Sequence, residues 1–474
     1  KVNTFRVSTM LSTNSKFNPF LFIVSALPFI LSRYKYVDSK KINFIFYFKY
    51  IFQLIINLIK MKLFIIKLIF TKNYLNINKN FKKGSITVSH LINSENFKNN
   101  IDTQFGGIEK EIEKNKTIFF YLDHISIGNK AKTDTVKSKK NFFINNNCVE
   151  LSTYKKIIKN IIVEFNFLIK KVKKTNSNFE KKFYLECSKY LFSLSTIKNI
   201  ILFYNLEKLI IKNKITYIVI TLEGHPYEHL IFLLGRIHKI KVFAYQTTYI
   251  TKSHFSMFLN LGINFLPTKI LASGKISYDL LRTKFHTKKV ILLGSNKYKK
   301  KLTIKKIANS NCLVIPTGLE SETMELLKLC CESLKKEKDL NCKFILRLHP
   351  QINKFNFIKK NQLLLKNEKR IQISNSKLID DICSCKFVLY GVSSAVVEAV
   401  QQGLVPIHFH DSKNDFEYDP LWQLKQKIII NNSNELIKFF KKRIFFSQKK
   451  ILRYINFANN FYRPVNYKKL REIF

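Results

Sequence analysis

Apolar and polar residues alternate along most of this chain in a pattern typical of strands followed by helices. Short β-branched runs such as ITYIVIT (residues 215–221) precede segments whose apolar residues recur every three or four positions. The pattern begins near residue 84, pauses near residue 300, restarts at CLVIPTG (residues 312–318) and continues to residue 410. Strands that alternate with helices form parallel sheets covered by helices on both faces. We therefore predict an α/β protein with two parallel-sheet domains that face each other across a cleft.

The first block contains local departures from simple alternation. SITVSHLI and KTIFFYLDHI predict two strands around a helix at FGGIEKEIEKNK. Residues 150–214 keep apolar residues at helical spacing, which predicts a long helical stretch. Residues 128–147 are rich in Lys, Ser, Thr and Asn, which favours a loop.

The first 80 residues differ from the rest in composition, being hydrophobic and basic, and this composition predicts a helical extension. Apolar residues cover nearly all of a predicted helix at residues 42–70, whose polar residues fall on one stripe: Lys49, Gln53, Asn57, Lys60 and Lys67. Such a helix suits an anionic membrane interface, with its lysines reaching the phosphate layer. The alternative is a helix buried between other helices, with its lysines extended to water. Residues 20–32 are too few to span a bilayer, and no signal-peptide cleavage site follows them.

Net charge and cysteine content limit which binding partners and which cellular compartment we expect for this chain. The formal net charge is +50, from 82 Lys and Arg against 32 Asp and Glu. The lysines are spread through every segment, without an Arg-rich cluster or a nucleic-acid-reading motif, so we predict no nucleic-acid partner. An anionic membrane or an anionic glycan is favoured instead. The eight cysteines contain no C-x-x-C pair, which favours free thiols in a reducing cytoplasm.

These patterns predict four segments along the chain. They are a hydrophobic, basic helical extension (1–80), a first Rossmann-like domain (81–300), a second Rossmann-like domain (301–445) and a C-terminal helical tail (446–474).

Ligands of open parallel sheets bind beyond the carboxyl ends of the strands, so residues that follow predicted strands are candidates for function. Glu223, Gly224 and His225 follow ITYIVIT. A carboxylate there could act as a general base if its pKa were raised towards the working pH. The alternative is that Glu223 caps the following helix and interacts with its dipole.

Two further strand ends carry a histidine and a glycine. His349 and Pro350 end the strand FILRLHP, where the imidazole could donate to a phosphate oxygen, or the pair could form a structural turn. Gly318 opens a strand-to-helix turn in VIPTGLESE, suited to a phosphate or to close backbone approach.

The string LYGVSSAVVEA forms a fourth candidate. Gly391, Ser393 and Ser394 lie between a predicted strand and a predicted helix, and Glu398 follows one helical turn later. Backbone N–H groups and two hydroxyls at such a position can bind an anion, whereas a plain N-cap would account for one serine only.

Several familiar motifs are absent from the sequence. No G-x-G-x-x-G follows the first strand, and G-x-x-x-x-G-K-[ST], H-E-x-x-H, G-x-S-x-G and D-x-D do not occur. We therefore predict neither a metal nor a resident cofactor.

Residues 378–409, LIDDICSCKFVLYGVSSAVVEAVQQGLVPIHF, resemble the nucleotide-binding half of glycosyltransferases with two Rossmann-like domains, the GT-B fold. The order of LEG, HP and SS also resembles bacterial sialyltransferases and related CMP-sugar transferases. The resemblance implies that the acidic residue before the glycine is the general base and that the histidine and the serines hold the donor phosphate. These roles fall on Glu223, His349, Ser393 and Ser394.

Residues 84–440 are also similar to a family of surface carbohydrate biosynthesis proteins. The shared pattern E-x-x-P-x-E matches Glu223, Pro226 and Glu228. It adds two residues to the catalytic candidates beside the base Glu223: Glu228, expected to position a substrate or the turn, and the neighbouring His225, expected in a supporting role. AYQTTY follows, with Thr247 where a histidine is common, and LLGSNKY carries Lys297 in place of an arginine. The resemblance implies acceptor or cleft positions at these residues: Gln246, Thr247, Gly294 and Ser295.

The resemblance implies a metal-independent glycosyltransferase of O-antigen, capsule or lipopolysaccharide biosynthesis. It would use a nucleotide-sugar donor, for which CMP-linked sugars are one candidate, and a glycan or lipid-linked glycan acceptor. Its expected location is the inner face of the cytoplasmic membrane. Alternatives are a sugar-nucleotide epimerase, a glycerophosphate transferase of the same fold, or a membrane-docked binding protein without catalytic activity.

Overall fold

The computed structural model describes most of the chain from residue 148 onwards and shorter stretches before it. The described residues are 20–21, 44–69, 73–77, 81, 83–91, 102, 104–106, 108, 117–122, 141–146, 148–251, 254, 256–258, 261–285, 289–298, 310–366, 368–410, 418–442 and 446–474. The predictions for residues 22–32 and for most of the segment 105–116 lie outside the described residues.

The first half of the described chain contains helices and strands in the following order. They are α1 (Phe44–Ile69), β1 (Tyr74–Asn76), β2 (Gly84–His90), β3 (Thr117–Leu122), β4 (Asn141–Asn145), α2 (Leu151–Lys174), α3 (Asn178–Leu191), α4 (Leu194–Lys212), β5 (Ile215–Thr221), α5 (Pro226–Ile237), β6 (Lys241–Gln246), β7 (Lys269–Ala272), α6 (Lys275–Lys284) and β8 (Val290–Leu292).

The second half continues the alternation. Its elements are β9 (Cys312–Ile315), α7 (Glu320–Lys336), β10 (Phe344–Leu346), α8 (Lys354–Lys360), α9 (Gln362–Lys366), β11 (Ile371–Ile373), α10 (Leu378–Cys383), β12 (Phe387–Tyr390), α11 (Ala395–Gln401), β13 (Val405–Phe409), β14 (Ile428–Ile430), α12 (Ser433–Lys441), α13 (Gln448–Ala458) and α14 (Tyr467–Ile473).

The described strands form two sheets. The first has the order β1-β4-β3-β2-β5-β6-β7-β8, with seven parallel strands and β1 antiparallel to β4. The second has the order β11-β10-β9-β12-β13-β14 and is parallel throughout. Two open parallel sheets covered by helices confirm the predicted fold class of two Rossmann-like domains.

Alternating side chains of the first sheet enter two different cores. Ile218 and Ile220 of β5 pack with the helical layer formed by α2, α3 and α4, whereas Val219 packs on the opposite face with Phe243 and Leu271. This division follows from the period of two along a strand, which points successive side chains to opposite faces. The predicted helical stretch at residues 150–214 is confirmed as the three helices α2 to α4.

Residues 141–145 form a strand where composition favoured a loop. Phe142, Phe143 and Ile144 are buried, and β4 pairs with β3 in parallel. The prediction of a loop over residues 128–147 is therefore wrong for this part. The apolar triplet is short and flanked by asparagines, so only its pairing with β3 distinguishes it from a loop.

The C-terminal segment crosses from the second domain back to the first. After α13, the backbone of Arg463 pairs with Ser273 and Ser295, and the N–H of Asn466 donates to the Leu293 carbonyl at 2.7 Å. Gly294 has φ +96°, and a Cβ there would lie 2.1 Å from the carbonyl oxygen of Pro464. The close approach therefore requires glycine.

The carboxyl ends of the two sheets face each other, and two hydrogen bonds join them. The Tyr249 hydroxyl donates to the Val392 carbonyl at 2.7 Å, and the Trp422 indole N–H donates to the Ile250 carbonyl at 3.0 Å. Loops that follow β6, β12 and β13 thus meet between the domains. The region where strand ends of both domains converge is the cleft that the sequence pattern predicted.

None of the helices in the described part of the chain is long and apolar enough to cross a membrane.

Candidate active site

The turn between β5 and α5 brings a carboxylate and an imidazole to the cleft. His225 is the N-cap of α5, which starts at Pro226. Gly224 has φ +85°, and a Cβ there would lie 2.4 Å from Ser256 Oγ and 2.7 Å from the Met257 nitrogen. Both the backbone conformation and the lack of space require glycine at this position. The turn is therefore shaped to present the residues on either side of Gly224.

Glu228 holds this turn from inside. Its carboxylate accepts hydrogen bonds from the backbone N–H groups of Glu223 (2.8 Å), Gly224 (2.8 Å) and His225 (3.2 Å). The side chain is fully buried, and burial raises its pKa to about 8 although His225 and the N–H groups act in the opposite direction. Glu228 thus lies beneath the surface of the cleft, where it positions the turn.

Glu223 and His225 form a pair at the surface of the turn. His225 Nε2 lies 3.3 Å from Glu223 Oε2, and the Thr247 hydroxyl donates to Glu223 Oε1 at 3.4 Å. The His225 side chain is 42% exposed and the Glu223 side chain 19% exposed. The His225 ring stacks on Tyr227 at a centroid distance of 5.3 Å, which fixes its orientation.

Within the pair, the pKa of Glu223 is lowered and the pKa of His225 is raised. Burial alone would raise the pKa of Glu223, but the hydrogen bond from His225 and the positive charges of His225, His90 and Lys297 lower it below its ordinary value. Burial alone would lower the pKa of His225, but the two carboxylates of Glu223 and Glu228 raise it. The raised pKa that the sequence reasoning required of a Glu223 base is therefore not found. The imidazole is the group whose pKa is shifted upwards at the exposed edge.

Lys297 places a half-buried cation beside this pair. The sequence indicated it only as a replacement for arginine. Its Nζ donates to the Thr247 carbonyl at 3.1 Å. Burial lowers its pKa, while the charges of Glu223 in the first domain and Glu398 in the second act to raise it. The amine therefore stands between acidic groups that belong to opposite sides of the cleft.

The remaining first-domain candidates support the cleft rather than line it. Gln246 is buried, and its Oε1 accepts from the Ser273 hydroxyl at 2.9 Å. Ser295 is also buried; its Oγ accepts from the Lys297 N–H at 3.1 Å, and its own N–H donates to Arg463. Together with Gly294 at the tail contact, these residues hold the strand ends in place.

In the second domain, the turns at Gly318 and Gly391 lie next to the carboxylate of Glu322, which the sequence did not indicate as a site residue. Glu322 accepts from the Val392 N–H at 3.0 Å, from the Thr317 N–H at 2.9 Å and from the Thr317 hydroxyl. A Cβ at Gly391 would lie 2.5 Å from Glu322 Oε1. Glu322 looks in the sequence like an ordinary acid in the first turn of α7. Its bonds to a loop 70 residues later become visible only in three dimensions.

His349 lies next to the other glycine turn. Its Nδ1 accepts from the Gln351 N–H at 3.2 Å and lies 3.1 Å from the position of a Cβ on Gly318. Burial lowers the pKa of His349, with only a partial opposing effect from Glu322. Pro350 follows as an exposed residue of the turn after β10. The histidine therefore lies at the strand end, as predicted, in an environment that favours the neutral imidazole.

The two serines differ in their surroundings. Ser393 is buried, whereas Ser394 is exposed, caps α11 and makes no side-chain capping hydrogen bond. Glu398 is half-buried in that helix, which has only 7 residues. Of the two hydroxyls, the one on Ser394 is the better placed to meet a ligand in the cleft.

Tyr249 of the first domain forms a hydrogen bond with the second domain at the site. Its hydroxyl reaches the Val392 carbonyl in the loop that carries the serines. Burial raises the pKa of Tyr249, and the charges of Glu322 and Glu223 add to this effect from either side. The Glu223–His225 pair, Lys297 and the glycine turns thus converge on one interdomain cleft. Among the described residues, no group of three or more His, Cys, Asp or Glu side chains is placed to hold a metal ion.

The fold and the site define an α/β protein with two Rossmann-like domains and a polar cleft between the carboxyl ends of their sheets. No protein-family model matches the chain, and no curated protein matches its sequence. The chain is structurally similar to MurG from Acinetobacter baumannii, with a TM-score of 0.48 and 10% identity over 82% of this chain and 98% of that one.

Two further solved structures show comparable similarity. The UDP-GlcNAc 2-epimerase from Methanocaldococcus jannaschii has a TM-score of 0.45 and 14% identity, covering 82% of this chain and 99% of that chain. Anabaena HepE in complex with UDP and glucose has a TM-score of 0.45 and 9% identity, covering 82% of this chain and 97% of that chain. These similarities are distant, so the fold assignment rests on the sheet topology.

Proposed function

We propose that the chain is a glycosyltransferase that moves a sugar from a nucleotide-activated donor to a hydroxyl of a glycan acceptor. One observation carries the proposal: the Glu223–His225 pair of the first domain faces the glycine turns of the second across a single cleft, with Tyr249 joining the two sides. A proton acceptor opposite loops suited to phosphate is the arrangement that this transfer needs.

The first domain would supply the proton acceptor. As the acceptor oxygen attacks the anomeric carbon, the Glu223–His225 pair takes its proton, with the more exposed imidazole as the receiving group. The Glu223 carboxylate, held ionised by its lowered pKa, then stabilises the imidazolium. Thr247 and Lys297 fix the position of this carboxylate from the other side.

The second domain would meet the leaving group. The bond between the sugar and the phosphate breaks with its electron pair on the phosphate oxygen, so negative charge develops there. The Ser394 hydroxyl, the His349 imidazole and the Lys297 ammonium are the polar groups that we place around this charge. Lys297 supplies the positive charge that a metal ion supplies in other enzymes.

The biological setting follows the sequence resemblance. We place the reaction in the biosynthesis of surface polysaccharide (O-antigen, capsule or lipopolysaccharide). A CMP-linked sugar is one candidate donor. A lipid-linked acceptor would locate the enzyme at the inner face of the cytoplasmic membrane.

A ligand screen followed by a transfer assay tests this function. We expect one of CMP, UDP, GDP and CDP to raise the melting temperature well above the others, because a ligand that binds the folded state stabilises it by mass action. With the matching nucleotide sugar and a panel of glycan acceptors, Glu223→Gln should retain nucleotide binding and lose transfer. Equal turnover in this variant would overturn the assignment, and isomerisation of the donor without transfer would favour an epimerase.

A further inference from the structure

Helix α1 has an unusual distribution of apolar residues. One face packs on α3 and α4, and its partly buried apolar residues join the core of the first domain: Phe46, Met61, Phe64 and Ile65. The Tyr50 hydroxyl bonds to Ser188 at 2.7 Å, and the Asn57 amide donates to the Lys189 carbonyl at 3.1 Å. The helix is therefore held side-on against the domain along most of its length.

The opposite face of α1 is also apolar, and it is exposed. Ten large apolar side chains of this one helix are between 37% and 61% exposed: Ile45, Tyr47, Phe48, Ile51, Phe52, Ile55, Leu58, Ile59, Leu63 and Ile66. We call these ten residues the outward face. A surface helix normally turns its polar residues to water, yet here the polar Gln53 and Asn57 are only partly exposed and Asn57 bonds inward to α3. An exposed apolar surface of this extent, in which Lys62 is the charged residue, marks an interaction site.

The charge around the outward face identifies the kind of partner. Residues 39–94 contain ten lysines and no Asp or Glu. Lys49, Lys60 and Lys62 are exposed on the helix itself, and helical spacing puts Lys49 and Lys60 along one edge of the outward face. Apolar side chains bordered by lysines match a bilayer with anionic headgroups, since the chains enter the interface and the amines reach the phosphates. A second copy would bring two lysine-rich, acid-free surfaces together, which repulsion disfavours.

We propose that the outward face of α1 docks side-on on an anionic lipid bilayer and anchors the first domain there. The sequence pattern predicted membrane contact for this helix as a whole, with its lysines at the phosphate layer, but it did not indicate which face is free. In the structure Asn57 bonds to α3, and the apolar outward face is the one left for the bilayer. The inference concerns a surface outside the cleft and does not depend on the proposed function.

Vesicle flotation of the full chain tests the inference. We expect flotation with vesicles of phosphatidylcholine and phosphatidylglycerol, and much less with phosphatidylcholine alone. The triple variant Phe48→Gln, Phe52→Gln, Ile59→Gln should bind about tenfold more weakly or worse, since it removes three apolar side chains from the interface. A matched triple, Ile211→Gln, Phe355→Gln, Leu363→Gln, alters residues that are 65%, 75% and 80% exposed elsewhere and should float like the unaltered chain.

A second measurement locates the contact directly. Trp422 is the single tryptophan of the chain, so Phe52→Trp in a Trp422→Phe background reports from the outward face alone. Brominated lipids in the vesicles should quench this fluorescence and leave that of Leu363→Trp in the same background unchanged. Absence of quenching at Phe52→Trp, or equal flotation of the two triples, would overturn the inference. So would equal binding to neutral vesicles, or a dimer that the α1 triple dissociates while the unaltered chain ignores vesicles.

Discussion

At the scale of single residues, the cleft is organised by how neighbouring charges act on one another. Glu223 and His225 are two positions apart, and each shifts the pKa of the other towards its charged form. The residue types and their location at a strand end were evident from the sequence. The direction of the Glu223 shift was not, because His90 at the end of β2 and Lys297 in the loop after β8 also contribute to it.

The pH dependence of turnover should reveal this pairing. His225 must lose its proton before it can accept one, so kcat/KM should rise with pH through a value above the ordinary 6.5 of histidine. Glu223→Gln removes one of the two carboxylate charges that raise the pKa of His225 against the effect of burial, so this pKa should fall. We expect the acid limb of the profile to move to lower pH and the maximum to fall by about a hundredfold or more.

A second Glu–His pair provides the matched control. Glu207 and His238 lie 3.2 Å apart on helices of the first domain, away from the turn. Glu207→Gln should leave both the maximum and the acid limb unchanged. If Glu223→Gln lowers turnover by the same large factor at every pH and the acid limb stays in place, Glu223 itself is the base, as the sequence resemblance implies.

At the scale of elements, the turn from β5 to α5 depends on one buried carboxylate. The sequence indicated that Glu228 positions a substrate or the turn, but not through which contacts. Its position two residues inside α5 aims the side chain back at three consecutive N–H groups, an arrangement that capping geometry explains once the helix start is known. Glu322 at the start of α7 likewise accepts from backbone N–H groups, but one of them belongs to a loop that is distant in sequence.

Removing the Glu228 carboxylate should destabilise the fold and the turn together. Glu228→Ala leaves three N–H groups without their acceptor, which we expect to cost at least about 2 kcal/mol in the free energy of unfolding. Glu435→Ala removes a half-exposed carboxylate at the start of α12 that accepts from the Asn431 N–H and from the side-chain amides of Asn431 and Asn432, and it should cost less than about 1 kcal/mol. Urea denaturation of both variants measures the difference, and equal costs would contradict the role given to Glu228.

The same carboxyl group should make stability depend on pH. Burial raises the pKa of Glu228 from 4.5 to about 8, so the folded state holds this proton more tightly than the unfolded chain. The resulting stabilisation is complete below pH 4.5 and is lost as the pH rises towards about 8. Glu228→Gln cannot titrate, so the unaltered chain should lose stability relative to this variant over that window.

At the scale of the whole molecule, the two domains are linked by a small number of contacts at the cleft and by the C-terminal tail. The sequence indicated two blocks and a helical tail. It contained no signal that the tail returns to β7 and β8, because backbone hydrogen bonds such as that from Asn466 to Leu293 have no residue-type signature. The return path matters because it fixes the strand ends that carry Ser295 and Lys297.

Trp422 should report on movement between the domains. Its indole N–H bonds to the Ile250 carbonyl across the cleft, and it is the single tryptophan of the chain. If nucleotide binding closes the domains, we expect a saturable change in tryptophan emission with the same midpoint as the thermal shift. Tyr249→Phe removes the neighbouring cross-domain bond and should alter the amplitude, whereas Trp422→Phe removes the signal. An unchanged emission at saturating nucleotide would contradict movement at this contact.

The sequence by itself determined the fold class and the order of most elements, and it indicated the strand ends that are candidates for function. These properties follow from the local period of apolar residues and from the rule that parallel strands present their carboxyl ends on one edge. Tertiary structure alone decided which residues share a site. Lys297 and Tyr249 lie close enough to the Glu223–His225 turn to interact with its charges, and Glu322 binds the loop after β12, because strands far apart in sequence become neighbours in the folded chain. It also decided which face of α1 is free, since helical periodicity identifies an apolar stripe but not the side on which the domain packs.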